Sequence, residues 1–157
     1  MGQYDFKADI KIAETTEKEI SQFLVKYYGF EHKRFNSDYK FDLVMVTNRK
    51  KGIFIEVKED FMTKATGNVA LEYECRGKPS GINTSKADVF IYKVHTKEKI
   101  DYIMIPTSLL RKEIQNKTYF KTHTTGGDSG SNTHNYLFKY ETFLSFGVVL
   151  DFEGLDD

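Results

Sequence analysis

In "AETTEKEISQFLVKYYGF" the apolar residues Ile20, Phe23, Leu24 and Tyr27 recur at the three- and four-residue spacing of one helix face. Thr15 or Thr16 can cap the start and Gly29 can stop it, which predicts a helix over about residues 14 to 28. The pattern then changes period. "KFDLVMVTNRKKGIFIEVKED" holds two β-rich runs, 41 to 47 and 53 to 58, joined by a polar turn ending in Gly52, a hairpin signal. "NVALEYEC" (68 to 75) alternates as a third strand, and "GKPSGINTSKA" predicts a turn with a short helix after Ser80. "DVFIYKV" and "KIDYIMI" predict two further strands, and "PTSLLRKEIQNK" a helix opened by Pro106. A short strand around Tyr119, a glycine- and serine-rich loop in "THTTGGDSGSNTH" and a helical or mixed segment, "YETFLSFGVVLDF", complete the chain. No internal repeat is visible. Helices interspersed among strands in this order predict an α/β domain around a mixed central sheet.

At 157 residues the chain suits one domain, residues 1 to 157, with the acidic "EGLDD" end expected to fray. Such a chain buries roughly two-thirds of its unfolded surface. Cys75 is the only cysteine, which excludes an intrachain disulfide and a zinc site of the usual spacing, and makes a reducing compartment, the cytoplasm, the expected home. The first twenty residues contain no apolar h-region, and no uncharged apolar run approaches the eighteen or so residues that span a bilayer, so a soluble protein with no membrane partner is expected. Phe6 stands where a myristoylation signal prefers serine or threonine, and the sequons at Asn83 and Asn116 have no meaning in such a compartment. Formal charge is zero, but residues 61 to 127 carry eleven Lys or Arg against six Asp or Glu, while residues 128 to 157 carry one against six. A nucleic-acid surface would therefore lie on the central segment, unless those charges only solvate it.

The run Ile53, Phe54, Ile55, Val57 marks a strand covered on both faces, yet Glu56 and Lys58 lie within it. Side chains alternate along a strand, so these two share a face about 6 to 7 Å apart. An ion pair on a solvated face would account for Lys58, but not for the apolar residues around it, since unpaired charges in a covered strand are costly. Asp42 heads the preceding strand, and the antiparallel hairpin brings it beside Glu56 and Lys58. Two carboxylates forced together repel unless a cation lies between them. An all-oxygen set favours Mg²⁺ or Mn²⁺, which asks for one or two carboxylates; Asp42 and Glu56, with the Val57 carbonyl, would meet that need. Lys58 would then act on the attacking water or the scissile phosphate.

Asp42, thirteen intervening residues, then Glu56, Val57 and Lys58, after an acid-bearing helix, resembles the PD-(D/E)XK nuclease superfamily of restriction endonucleases, Holliday-junction resolvases and phage endonucleases. The resemblance covers about residues 14 to 94. It implies a restriction-endonuclease-like mixed central sheet flanked by helices, and an Mg²⁺- or Mn²⁺-dependent cut in DNA. It also implies a further acid from the preceding helix: Glu17, three residues before Ile20, fits, whereas Glu19 falls off that face. Phe41 stands where the family name has proline, a position that varies among members. "ALEYECRGKPSGINTSKADVFIY" looks like a segment of small phage-encoded nuclease-like proteins, with a third core strand leading by a loop to a fourth, and implies a phage or mobile-element origin.

Arg76, Lys78, Ser80 and Lys86 form the candidate DNA contact, with Ser80 at a helix start suited to a phosphate. Glu72 is either an added metal or water-positioning ligand or the cross-strand partner of a lysine. "GGDSGS" is similar to the stretch around the nucleophile of trypsin-like proteases, but the chain is too short for a double barrel and His95, His123 and His134 have no supporting context, so a flexible loop is expected there. The expectation is a DNA endonuclease, a homodimer if both strands are cut. Its rivals are a non-catalytic DNA-binding or assembly protein with a nuclease-like core, and an RNA-cleaving enzyme.

Overall fold

A computed structural model describes residues 6–35, 42–125 and 132–151. In chain order the elements are α1 (Phe6–Tyr28), β1 (Glu31–Phe35), β2 (Leu43–Val46), β3 (Gly52–Asp60), α2 (Thr63–Thr66), β4 (Asn68–Cys75) and β5 (Lys78–Pro79). After a 3-10 turn (Gly81–Asn83) come β6 (Val89–His95), β7 (Ile100–Pro106), α3 (Thr107–Gln115), β8 (Lys121–Thr125), β9 (Thr133–Lys139), α4 (Tyr140–Phe146) and β10 (Val148–Leu150). Phe41, the loop at 126–131 and the tail at 152–157 lie outside the described residues, as do the expectations placed on them.

Six strands form the central sheet in the order β1-β2-β3-β6-β7-β10. It is mixed: β3 pairs parallel with β6, and the other neighbours pair antiparallel. One face is covered by α1, whose Ile20, Phe23 and Leu24 pack on Leu43, Met45, Ile55, Ile91, Tyr102 and Leu150. On the other face Phe90, Tyr92, Val94, Ile103 and Ile105 pack against a second, four-stranded sheet, β5-β4-β9-β8, and against Leu110 of α3 and Phe143 of α4. The inner strands β3 and β6 are therefore covered on both sides, which is why they read as nearly continuous apolar runs. The chain is α/β, with a mixed central sheet flanked by helices.

Two expectations change. The third strand, β4, does not extend the hairpin's sheet. A parallel neighbour needs a crossover, and the chain supplies it through residues 61–88, so that β6 lies beside β3 while β4 pairs with β9 in the second sheet. Tyr27, placed on the buried helix face by spacing, is 42% exposed, because the contact with the sheet ends at Leu24 and Tyr28. The 3-10 turn sits tightly on β4: Gly81 has φ +53°, and a Cβ there would lie 2.0 Å from the Glu72 carbonyl oxygen, so only glycine fits. No helix among the described residues is long and apolar enough to cross a membrane.

Candidate active site

The site forms where a ladder ends. β2 pairs with β3 only from Leu43 opposite Ile55 to Val46 opposite Gly52, while β3 continues to Asp60. Asp42 stands at that departure. Its N–H donates to the Ile55 carbonyl (2.9 Å), and its Oδ2 accepts the Val57 N–H at 2.7 Å, in place of the next backbone carbonyl. The hairpin expectation holds in detail, because the register that puts Leu43 opposite Ile55 puts Asp42 beside Glu56. Val57 engages the site through its N–H.

Glu56 is 4% exposed. Its register partner in β6 is Phe90, and that of Lys58 is Tyr92, so both charged residues project from the face turned towards the second sheet. Burial pushes the Glu56 carboxyl up to about 9, helped by its hydrogen bond to Asp42 and by the charges of Asp42 and Glu17; Lys58 opposes the shift. Glu17, on α1, is pushed up to about 7, first by burial and then by Asp42 and Glu14. The structure thus brings Asp42, Glu56, Glu17 and Lys58 into one electrostatic neighbourhood. A proton held on Glu56 relieves the crowding there. Among the described residues Lys58 forms no salt bridge, so simple ion pairing on one strand face does not account for it.

Among the described residues no group of three or more His, Cys, Asp or Glu is gathered closely enough to hold a metal ion. Mg²⁺ usually keeps several waters and takes one or two carboxylates from the protein. Asp42 and Glu56 place two carboxylates side by side, the number that Mg²⁺ commonly takes from a protein. Glu17 acts on the pair through its charge.

Lys58 also lines a cleft of about 420 Å³ between the two sheets, with Phe61, Met62, Glu72, Tyr92 and Asn135. The Tyr92 hydroxyl donates to the Ala70 carbonyl (3.1 Å), and burial, with the charges of Asp60, Glu56 and Glu72, raises its pKa well above the usual phenol value. Glu72 faces Asn135 across the β4–β9 ladder, so no lysine partners it there. Arg76 and Gly77 form the two-residue turn from β4 to β5 with positive φ at both positions, and Lys78 follows, exposed. At strand rise this places Arg76 about 13 Å beyond Glu72. Lys86 is exposed between the 3-10 turn and β6. Ser80 precedes a single turn, without the run of aligned amides that a helix start offers, and its Oγ is buried with no hydrogen-bond partner among the described residues.

Spacing missed a polar layer between α1 and the sheet. Glu59 accepts from Thr16 Oγ1 (2.7 Å), lies 2.7 Å from His95 Nε2 and 3.9 Å from Lys93 Nζ. Lys93 Nζ also donates to Glu19 Oε2 (3.1 Å), which accepts the Tyr102 hydroxyl at 2.9 Å. Glu19 therefore does not fall off the inward face: polar partners on β6 and β7 draw its long side chain under the helix, where an apolar count does not look. This layer clamps α1, and with it Glu17, over the strands that carry Asp42 and Glu56. The signal in the sequence was charged residues recurring inside β3 and β6, at Glu59 and Lys93. No known protein family, curated protein or solved structure matches this chain, so its geometry is what any functional reading rests on.

Proposed function

We propose that the chain is a metal-dependent DNA endonuclease of the PD-(D/E)XK kind, with the central sheet and α1 forming a restriction-endonuclease-like core. The observation that carries this reading is the buried Glu56 hydrogen-bonded to Asp42, two residues from a Lys58 that has no salt bridge among the described residues. Asp42 and Glu56 would hold Mg²⁺ or Mn²⁺, with Glu17 steadying the charge. The bound ion supplies Lewis-acid stabilisation of the phosphoryl oxygens and a more acidic water. Lys58 holds the attacking water or the non-bridging oxygen of the scissile phosphate as a point charge. Arg76, Lys78, Ser80 and Lys86 are assigned to the phosphate backbone, which makes binding salt-sensitive. A phage or mobile-element origin and a homodimer belong to the same reading.

A second reading is a DNA-binding or assembly protein that keeps a nuclease-like core without turnover; among the described residues no group of three or more metal ligands is gathered. One assay separates them. The purified chain is incubated with supercoiled, linear and branched DNA, and with RNA, in Mg²⁺, Mn²⁺ or EDTA. Metal-dependent cutting of DNA, reduced at least about a hundredfold in Asp42→Ala and Lys58→Ala, is expected. Paired sites would take supercoiled DNA directly to linear, whereas a nicked product that accumulates indicates sites acting singly. Binding without cutting favours the second reading. Cutting under EDTA, or variants as active as the parent, overturns the first.

A further inference from the structure

The cleft beside Lys58 has features that metal binding and phosphate hydrolysis leave unused. Phe61 and Met62 are 53% and 62% exposed, yet their turn is held by hydrogen bonds. Asp60 accepts the N–H groups of Met62 (2.8 Å), Thr63 (3.0 Å) and Ala70 (3.0 Å). Phe61 stacks on His95 with ring centroids 4.4 Å apart and planes 17° apart, and His95 is fixed in turn by Glu59. One ring face is thus taken, while more than half of the residue stays open at the cleft. An aromatic ring held at the mouth of a cleft by a braced turn can serve as a platform for a planar ligand.

The wall opposite is polar. Asn135, 9% exposed overall, lines the cleft with Glu72 and Tyr92. Its amide is not sealed in the interior, and the side chain can meet a ligand there. Glu72 is its neighbour across the ladder. A carboxylate there repels a second phosphate, but accepts the N–H or amino groups of a base. Asn135 offers both a donor and an acceptor. Together they suit the mixed donor and acceptor edge of a base that has lost its pairing partner. At about 420 Å³ the cleft lies within the usual range for small-molecule sites, about 300–1,000 Å³.

We propose that this cleft receives an unpaired nucleobase of the strand being cut, stacked on Phe61 and hydrogen-bonded by Asn135 and Glu72. The inference rests on reading Asp42, Glu56 and Lys58 as a nuclease site, and it narrows the substrate to DNA with unpaired nucleotides near the scissile phosphate. Continuous duplex keeps its bases stacked and leaves the cleft empty.

The test measures binding of the full chain in Ca²⁺, which permits binding with little cutting. Three labelled oligonucleotides are compared: a duplex with a short unpaired bulge, the same bulge built from abasic nucleotides, and a continuous duplex. The abasic bulge keeps every phosphate and loses only the bases. The expected result is at least about fivefold tighter binding of the bulge with bases than of the abasic one, the low end of a single stacked base. Phe61→Ala, at an exposed position, should abolish that difference, Asn135→Ala should reduce it, and Phe61→Trp should keep it. Equal binding of the two bulges, or a difference that survives Phe61→Ala, overturns the inference. Cutting in Mg²⁺ is scored separately. Base preference without any cutting sinks the nuclease reading alone; cutting without base preference sinks this inference alone; and no binding to any oligonucleotide sinks both.

Discussion

The strand pairing sets Asp42 beside Glu56, and burial first, then Asp42, pushes the Glu56 carboxyl well above the usual range. In the folded chain Glu56 titrates at about 9 and Glu17 at about 7, both above the ordinary 4.5. The folded state therefore holds these protons more tightly than the unfolded state does. Their stabilising contribution is complete below about pH 4.5 and is lost as pH rises, through about 7 for Glu17 and about 9 for Glu56. With EDTA present, the urea midpoint should fall between about pH 5 and pH 9, and saturating Mg²⁺ should recover part of the loss. Glu56→Gln keeps the neutral shape, so its midpoint should fall less over that range and at about pH 8 should equal or exceed the parent's. A parent midpoint that rises with pH, or a Gln variant plainly weaker at pH 8, would contradict this account.

At the scale of elements, the hairpin carrying the acids was legible because its information is local: two apolar runs, a turn ending in Gly52, and a register that follows from the pairing. β1 was not legible, because "EHKRF" is an exposed edge strand whose side chains need no burial pattern. β9 was missed for another reason. Its partner β4 lies more than fifty residues away in sequence, and the bulge between Glu72 and Glu74 breaks the alternation where the strands meet. The second sheet, and with it the cleft, therefore could not be read from spacing. Asp60 shows the same limit at closer range. It ends the charged strand that holds Glu56 and Lys58, yet it is 8% exposed and fastens the Phe61 turn to β4 through three backbone N–H groups. Asp60→Ala leaves those donors without their acceptor and should lower stability by about 3 kcal/mol in urea unfolding. A loss below about 0.5 kcal/mol would show that the turn is held by other means.

For the molecule as a whole, the arrangement is a helix clamped to one face of a sheet and a second sheet set against the other, with the acids where β2 leaves β3 and the cleft beside them. The α1 clamp through Glu59, Lys93 and Glu19 holds one side, and the Asp60 turn holds the other. On the proposed reading, such a site would exchange a proton for a divalent ion. Calorimetric titration of the metal-free chain with Mn²⁺ at about pH 7.5, repeated in buffers of different ionisation enthalpy, counts that exchange. The parent should bind Mn²⁺ with release of about one proton, as ligands that must deprotonate do, and Asp42→Ala and Glu56→Gln should lose both the binding and the release. Mn²⁺ binding that is unchanged in those variants, or no binding by the parent at millimolar ion, would contradict the claim that these two carboxylates form a metal site.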